Sequence, residues 1–308
     1  MTTPAATFPL EEYQALRGGF GVVELADWSS VTLSGADRQA FLNSFCTNDV
    51  KRLGLGEHCE AFITNVKGKI LGHGLVHCRD DELVFITVPE QAPKIIEHLD
   101  RYIIREDVQL RDTTAERVYL LIAGGEAAGA GLNGDLWIRW RLLHVPFCAL
   151  LEATPNRLLQ IRQELTADGA MSCGGAAFDA LRIESGSPLF GIDFDEENLP
   201  QEVSRDELAI SFTKGCYLGQ ETVARIDALG HVNQQLAGVR FAGPNLPETK
   251  TELTSGGTSA GHVTSASFSP QLGVHVALAM VRRQWLAPGT RLDSAAGTCE
   301  VIELPVHQ

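Results

Sequence analysis

The sequence predicts an α+β fold built on antiparallel sheets and ending in a small β-barrel. Three observations predict it. Residues 21–33 alternate apolar and polar side chains, the period of half-buried strands. Ile95, Ile96, Leu99 and Ile103 form an apolar stripe at helical spacing. After about residue 233 the chain becomes rich in Gly, Ser, Thr and Val, with short alternating runs and few helix signals, the pattern of a small barrel or jelly roll.

Taken in order, residues 9–17 predict a short helix ended by Gly18 and Gly19. Strands follow over 21–33, then a helix opened by Asp37 with Phe41 and Leu42 on one face. Residues 59–78 read as a hairpin, with Lys67, Gly68 and Lys69 in its turn. Leu83 to Val88 is a further strand, and Pro89 marks the start of the helix that carries the Ile95 stripe. Val118 to Ala123, Leu136 to Leu143 and Phe147 to Leu151 are strand candidates. Asn156 can cap a helix reaching Thr166, and Ala176 to Glu184 forms another, closed by Gly186. Barrel strands are expected at 236–241, 262–268, 275–280 and 298–304, with 243–257 as a loop. The division read from composition is 1–233 and 234–308.

A formal net charge of −14 repels phosphate backbones, so direct nucleic-acid binding is not expected. The seven cysteines, at 46, 59, 78, 148, 173, 216 and 299, contain no C-x-x-C pair. That spacing encodes neither a zinc ribbon nor a thioredoxin-like motif nor a clustered iron–sulfur ligand set. Most of the thiols read as buried, reduced core residues, as in a reducing compartment. The first residues show no basic and apolar signal pattern, and no run approaches membrane-spanning length. The expectation is a soluble, cytoplasmic protein with no membrane partner.

The densest chemical signal is Lys214-Gly215-Cys216-Tyr217-Leu218-Gly219-Gln220-Glu221. Two glycines bracket a cysteine, and a helical stretch follows. Helix N-terminal amides and the Lys214 ammonium both favour a thiolate. In an extended segment Lys214 and Cys216 also point to the same side. Against this stands the ordinary reading of a cysteine packed in a tight turn.

The string K-G-C-Y-x-G-Q-E resembles the hallmark of the YgfZ family of folate-binding proteins. Arg182-Ile183-Glu184-Ser185-Gly186 with Gly191-Ile192-Asp193 resembles a segment shared with the glycine-cleavage T-protein, an aminomethyltransferase. Leu199-Pro200-Gln201-Glu202 and Gly261-His262-Val263-Thr264-Ser265 with Ser269-Pro270 extend the likeness over nearly the whole chain. The resemblance implies a three-lobed tetrahydrofolate-binding fold, and a role in maintaining or assembling iron–sulfur clusters in client proteins, including tRNA-modifying enzymes. Cys216 and Lys214 are the candidate catalytic pair.

Glu184 matches the T-protein glutamate that holds the pterin, where a carboxylate can accept two N–H bonds. Tyr217, Gln220 and Arg225 complete the candidate cofactor contacts. Gln220 and Glu221 also have a reading as motif scaffolding. Arg225 can pair either with a folate carboxylate or with Glu221, one helical turn earlier. Asp193 suits a turn cap. Lys67 and Lys69 are either guides for a polyglutamate tail or ordinary turn lysines. His73 and His77 share one side of a strand, and two histidines make no metal site without a third ligand. Where the T-protein carries an acidic pair after its first hairpin, this chain has Gly72-His73-Gly74. That loss speaks against aminomethyl transfer. The rival readings are a one-carbon transferase and a non-catalytic folate scaffold.

Overall fold

The computed structural model describes residues 9–25, 27–125 and 136–306. The expectation drawn from the first eight residues lies outside that range. The chain forms two compact units, each assembled from separated stretches. One comprises Met1–Leu25, Tyr119–Ser187 and Ala237–Gln308; the other comprises Ala26–Val118 and Pro188–Leu236. Compactness in space therefore groups the barrel with the N-terminal helix, a different division from the compositional one at 233/234.

In the first unit, Phe20–Leu25 pairs antiparallel with Val118–Gly124 and parallel with the short strand Met171–Cys173. The sheet continues through Phe147–Ala153 to Leu136–Arg139. Strand residues Val22, Leu120, Ile122 and Leu151 pack on Ile161 and Leu165 of the helix Leu158–Ala167. The expected strand 136–143 stops at Arg139, because pairing of Arg139 with Ala149 requires the chain to reverse between them. Pro146 sits in that reversal, where it cannot donate to a ladder.

The same unit holds a six-stranded sheet, in the order Glu252–Ser255, Thr258–Ser269, Val274–Arg282, Gln234–Phe241, Cys299–Ile302, Arg291–Leu292. Its two end strands meet through Thr254 and Asp293, which exchange main-chain hydrogen bonds of 2.8 Å each way. This nearly closes the barrel around Val239, Phe241, Leu253, Val263, Ala279 and Val301. The expected loop 243–257 thus ends in a strand. Thr254 and Ser255 gain their partners only when the barrel forms. The helices Leu10–Gly18 and Gly175–Glu184 pack together, and the second also packs on Thr258–Ser269.

The second unit is a five-stranded antiparallel sheet, ordered His58–Thr64, Ile70–Cys78, Glu82–Thr87, Ser29–Ser34, Gln109–Asp112. The helices Arg38–Asn43 and Ala92–Asp100 bury Phe41, Leu42, Ile95 and Leu99 against Val31, Ile63, Val76 and Phe85. The second of these begins at Ala92, three residues after Pro89. After the return of the chain at Pro188, a 3-10 turn Pro200–Val203 and the helix Gln220–Leu229 flank the cysteine motif. Among the described residues no helix is long and apolar enough to cross a membrane.

Candidate functional site

The motif is a loop, not an extended segment, and its anchoring is dense. Ser211 N donates to Thr47 O (2.9 Å) and Leu218 N to Ser44 O (2.8 Å). Thr64 Oγ1 donates to Leu218 O (2.7 Å), and Thr47 Oγ1 to Ala209 O (2.6 Å). Gly219 N-caps the following helix with φ of +85°. A Cβ there would lie 2.4 Å from the Asn65 carbonyl oxygen. Only glycine lets this turn touch the hairpin turn at Asn65–Gly68. The second motif glycine serves that contact.

Lys214 is 7% exposed. Its Nζ donates to three main-chain carbonyls, Asn43 at 2.6 Å and Cys46 and Asn48 at 2.7 Å. The Tyr217 ring centroid lies 4.9 Å from it. Burial lowers the Lys214 pKa, while nearby Cys46 and Asp49 act the other way. Tyr217 is buried, and burial raises its phenol well above the ordinary range.

Cys216 is exposed. The expectation that Lys214 and Cys216 face the same side is therefore corrected. A two-residue alternation holds for a strand, and this turn sends one side chain inward and the other out. The helix begins at Gln220, four residues past the sulfur. Burial raises the pKa of every other cysteine: Cys46, Cys59 and Cys78, with Cys148 and Cys173 pushed up to about 11 and Cys299 to about 12. Cys216 is the one exposed thiol among the seven. Gln220 is half-buried at the helix start, and Arg225 is exposed on the same helix. The Glu221–Arg225 pair is not formed among the described residues, so the helix-pair reading of Arg225 falls away.

Beside the motif, in the same unit, lies a buried ion cluster. Arg205 grips Glu60 with Nε on Oε1 (2.8 Å) and Nη2 on Oε2 (2.5 Å), and His73 Nε2 lies 2.8 Å from Oε1. Burial would raise the Glu60 pKa, but Arg205 and then His73 outweigh it and hold the carboxyl far below its usual range. His73 stacks on Phe62 with centroids 4.7 Å apart. It is thus a partner of Glu60. Among the described residues no His, Cys, Asp and Glu side chains gather in the number a metal ion needs. Asp193 Oδ2 accepts from Leu189 N (2.9 Å), the turn cap expected of it. Lys69 Nζ donates to Glu197 O, while Lys67 is exposed.

Glu184 belongs to the other unit. It ends the helix Gly175–Glu184 and is 4% exposed. Tyr13 OH donates to its Oε2 (2.6 Å), Ser269 Oγ donates to Oε1, and Arg17 Nη1 stands 3.9 Å from Oε2. Burial, then Glu184, raises the Tyr13 pKa beyond the ordinary phenol range. Each carboxylate oxygen has a second lone pair beyond these contacts. The six predicted residues thus divide: Glu184 in the first unit, and Lys214, Cys216, Tyr217, Gln220 and Arg225 in the second. Sequence reasoning missed Tyr13, which is 171 residues from Glu184 in the chain. It also missed the Glu60–Arg205 pair, and no spacing signal links such distant residues.

Mixed sheets completed by a near-closed C-terminal barrel define the aminomethyltransferase class of fold. Residues 3–130 match the GCVT N-terminal domain, and residues 234–306 match the glycine cleavage T-protein C-terminal barrel domain. The chain carries both of these domains. It is 26% identical over 316 residues to the aminomethyltransferase of Nostoc sp. (strain PCC 7120), covering 92% of this chain and 82% of that one. It is 28% identical over 307 residues to the aminomethyltransferase of Synechococcus sp. (strain RCC307), covering 92% and 85%. The glycine cleavage system aminomethyltransferase T of Bartonella henselae superposes with a TM-score of 0.86 at 18% identity, over 99% of this chain and 90% of that one. This last likeness establishes the fold.

Proposed function

We propose that this protein binds tetrahydrofolate, or a one-carbon derivative of it, and supports assembly or repair of iron–sulfur clusters in client proteins through Cys216. Clients would include tRNA-modifying enzymes, and the setting would be cytoplasmic. The observation that carries the reading is the motif loop. Its main chain is held at residues 211 and 218, Gly219 packs against the Asn65 carbonyl, its lysine is locked inward, and its cysteine is exposed together with Phe212, Thr213 and Gly215. A thiol-dependent role requires an accessible thiol on a held loop, and this loop supplies one.

The folate half of the reading rests on Glu184 and on the aminomethyltransferase likeness. Bound folate would supply a carrier for one-carbon units. Glu184 would hold the 2-amino and N3 edge of its pterin through the lone pairs that Tyr13 and Ser269 leave open. Arg225, exposed and without an ion pair among the described residues, suits a folate carboxylate. Tyr217 is buried under the loop and Gln220 opens the helix, so both support the loop's shape more directly than they offer a ligand contact.

Aminomethyl transfer is the second reading, favoured by the names of the relatives. Against it, the strand Ile70–Cys78 carries Gly72-His73-Gly74 in place of the acidic pair, and His73 is already engaged by Glu60.

The test has two arms. Calorimetry with tetrahydrofolate on the wild type and on a folded Glu184→Ala variant should show a loss of roughly ten- to a hundredfold in affinity. Unchanged affinity would remove Glu184 from the site. A strain lacking the gene should lose iron–sulfur enzyme activities, restored by the wild type and not by Cys216→Ala. Full complementation by that variant would make the cysteine structural. Folate-dependent ammonia release from an aminomethylated lipoyl carrier would promote the second reading.

A further inference from the structure

The Lys214 ammonium is surrounded as a small cation would be. Three main-chain carbonyls converge on Nζ within 2.7 Å, and among the described residues no carboxylate oxygen bonds to it. An aromatic face stands on another side, and the Cys46 sulfur lies at 4.0 Å. Carbonyl oxygens replacing a hydration shell are the means by which proteins hold potassium, and a ring face adds attraction for any cation.

The carbonyls belong to the bend 43–48, which the rest of the unit holds in place by other atoms. Cys46 bridges to Ile63, Thr47 N donates to Phe62 O (2.9 Å), and Asn48 Nδ2 donates to Glu60 O (2.8 Å) and Leu208 O (2.9 Å). The bend therefore keeps its three oxygens converging whatever occupies the space between them. Without a cation there, the buried Asn43 and Cys46 carbonyls would lose this partner, at a cost comparable to a lost hydrogen bond for each, while Asn48 O would keep Val50 N (3.1 Å) and Cys46 Sγ (3.4 Å).

We propose that the bend 43–48 is a monovalent-cation site, filled in this protein by the tethered ammonium of Lys214. Lys214 is a positioning residue. It acts on Cys216 only by tying the motif loop to the bend, and its charge does not need to reach the sulfur. The link to Cys216 rests on the proposed function; the cation site does not.

The corollary is chemical rescue. Lys214→Ala empties the nest without changing the carbonyls, which are main chain. Potassium or ammonium should then fill it, and tetramethylammonium, too large and with no N–H, should not. Lys214→Met fills the same volume with an uncharged chain and should stay unresponsive.

The experiment begins with the wild type. A ¹⁵N-lysine spectrum should show one ammonium protected from exchange, and its absence would overturn the proposal. Lys214→Ala is then melted in tetramethylammonium chloride with potassium or ammonium replacing it at constant ionic strength. A specific ion at a hundredfold excess over its dissociation constant should raise the Tm by about 4 °C, while the wild type stays indifferent. The rate of Cys216 labelling by iodoacetamide, mapped by peptide, should return toward the wild-type value over the same titration. Should Lys214→Ala not fold in tetramethylammonium, its refolding yield in potassium against tetramethylammonium gives the same discrimination. Equal effects of potassium and tetramethylammonium, in melting or refolding, would overturn the cation site. Neither readout involves folate or a client protein, so this outcome and that of the proposed function are separable.

Discussion

Two buried ionic groups, one in each compact unit, are satisfied by opposite means. Glu184 is held by the side-chain hydroxyls of Tyr13 and Ser269. Lys214 is held by the main-chain carbonyls of Asn43, Cys46 and Asn48. Hydroxyls rotate about their C–O bonds, so the Glu184 arrangement can adjust to a change at the carboxylate. Carbonyls in a fixed bend cannot turn away, so the Lys214 arrangement is committed to scaffolding. The two therefore differ in kind: one keeps acceptor lone pairs, and the other ties the loop that carries Cys216 to the bend 43–48.

The sharpest way to break that contrast is to strain the main-chain side of it. Gly219→Ala would drive a Cβ into the Asn65 carbonyl at a positive φ. A loss of about 3 kcal/mol in urea denaturation is expected. A loss too small to measure would mean that the two turns yield easily and the loop is not rigidly pinned.

The side-chain arrangement should cost less. Glu184→Ala leaves the Tyr13 and Ser269 hydroxyls without their acceptor in a buried place, for a loss of about 2 kcal/mol. Tyr13→Phe, which removes one donor and keeps the ring, should cost about 1 kcal/mol on the same measurement. Should the single hydroxyl prove as costly as the carboxylate, the group would be rigid after all and the contrast with Lys214 would fail.

An effect that appears only with pH is expected at a carboxylate that has neither kind of support among the described residues. Asp206 is half-buried with Oδ1 unpartnered, and its pKa is pushed up to about 6 by burial first, then by Asp227 and Glu207. A pKa raised above the unfolded value means that the folded state binds the proton more tightly. Its contribution is complete in acid below the ordinary carboxyl range, and is lost as pH rises to about 6. Asp206→Asn should therefore gain in Tm relative to the wild type between pH 4 and pH 7, with no further change above. A difference that is flat across this window would show that water or a counter-charge already relieves the site.

The elements were largely legible because each carries a local period or stop. The stripe at Ile95 and Leu99 became the buried face of a helix, and the hairpin read in 59–78 formed. Met171–Cys173 was not legible. It is three residues long and exists as a strand only because Phe20–Leu25 lies parallel to it. Gln109–Asp112 likewise takes its identity from pairing with Ser29–Ser34. At the site, the cysteine motif stood out by residue type, and Glu184 through the resemblance of its segment to the T-protein. The direction of Lys214 did not, because alternation says nothing about a turn.

Sequence alone established which residue types the chain could bring to chemistry: one glycine-flanked cysteine, one candidate pterin carboxylate, and no clustered thiols. It also established a C-terminal β module, since composition and period are local properties. Folding assigned the environments. Cys216 and Lys214 are two residues apart and end in opposite ones, and Tyr13 and Glu184 are 171 apart and end in contact. The reason is that exposure and hydrogen-bond partners depend on which distant backbone arrives beside a residue. The carbonyls that hold Lys214 belong to every amino acid alike, so no side chain in the sequence announces them.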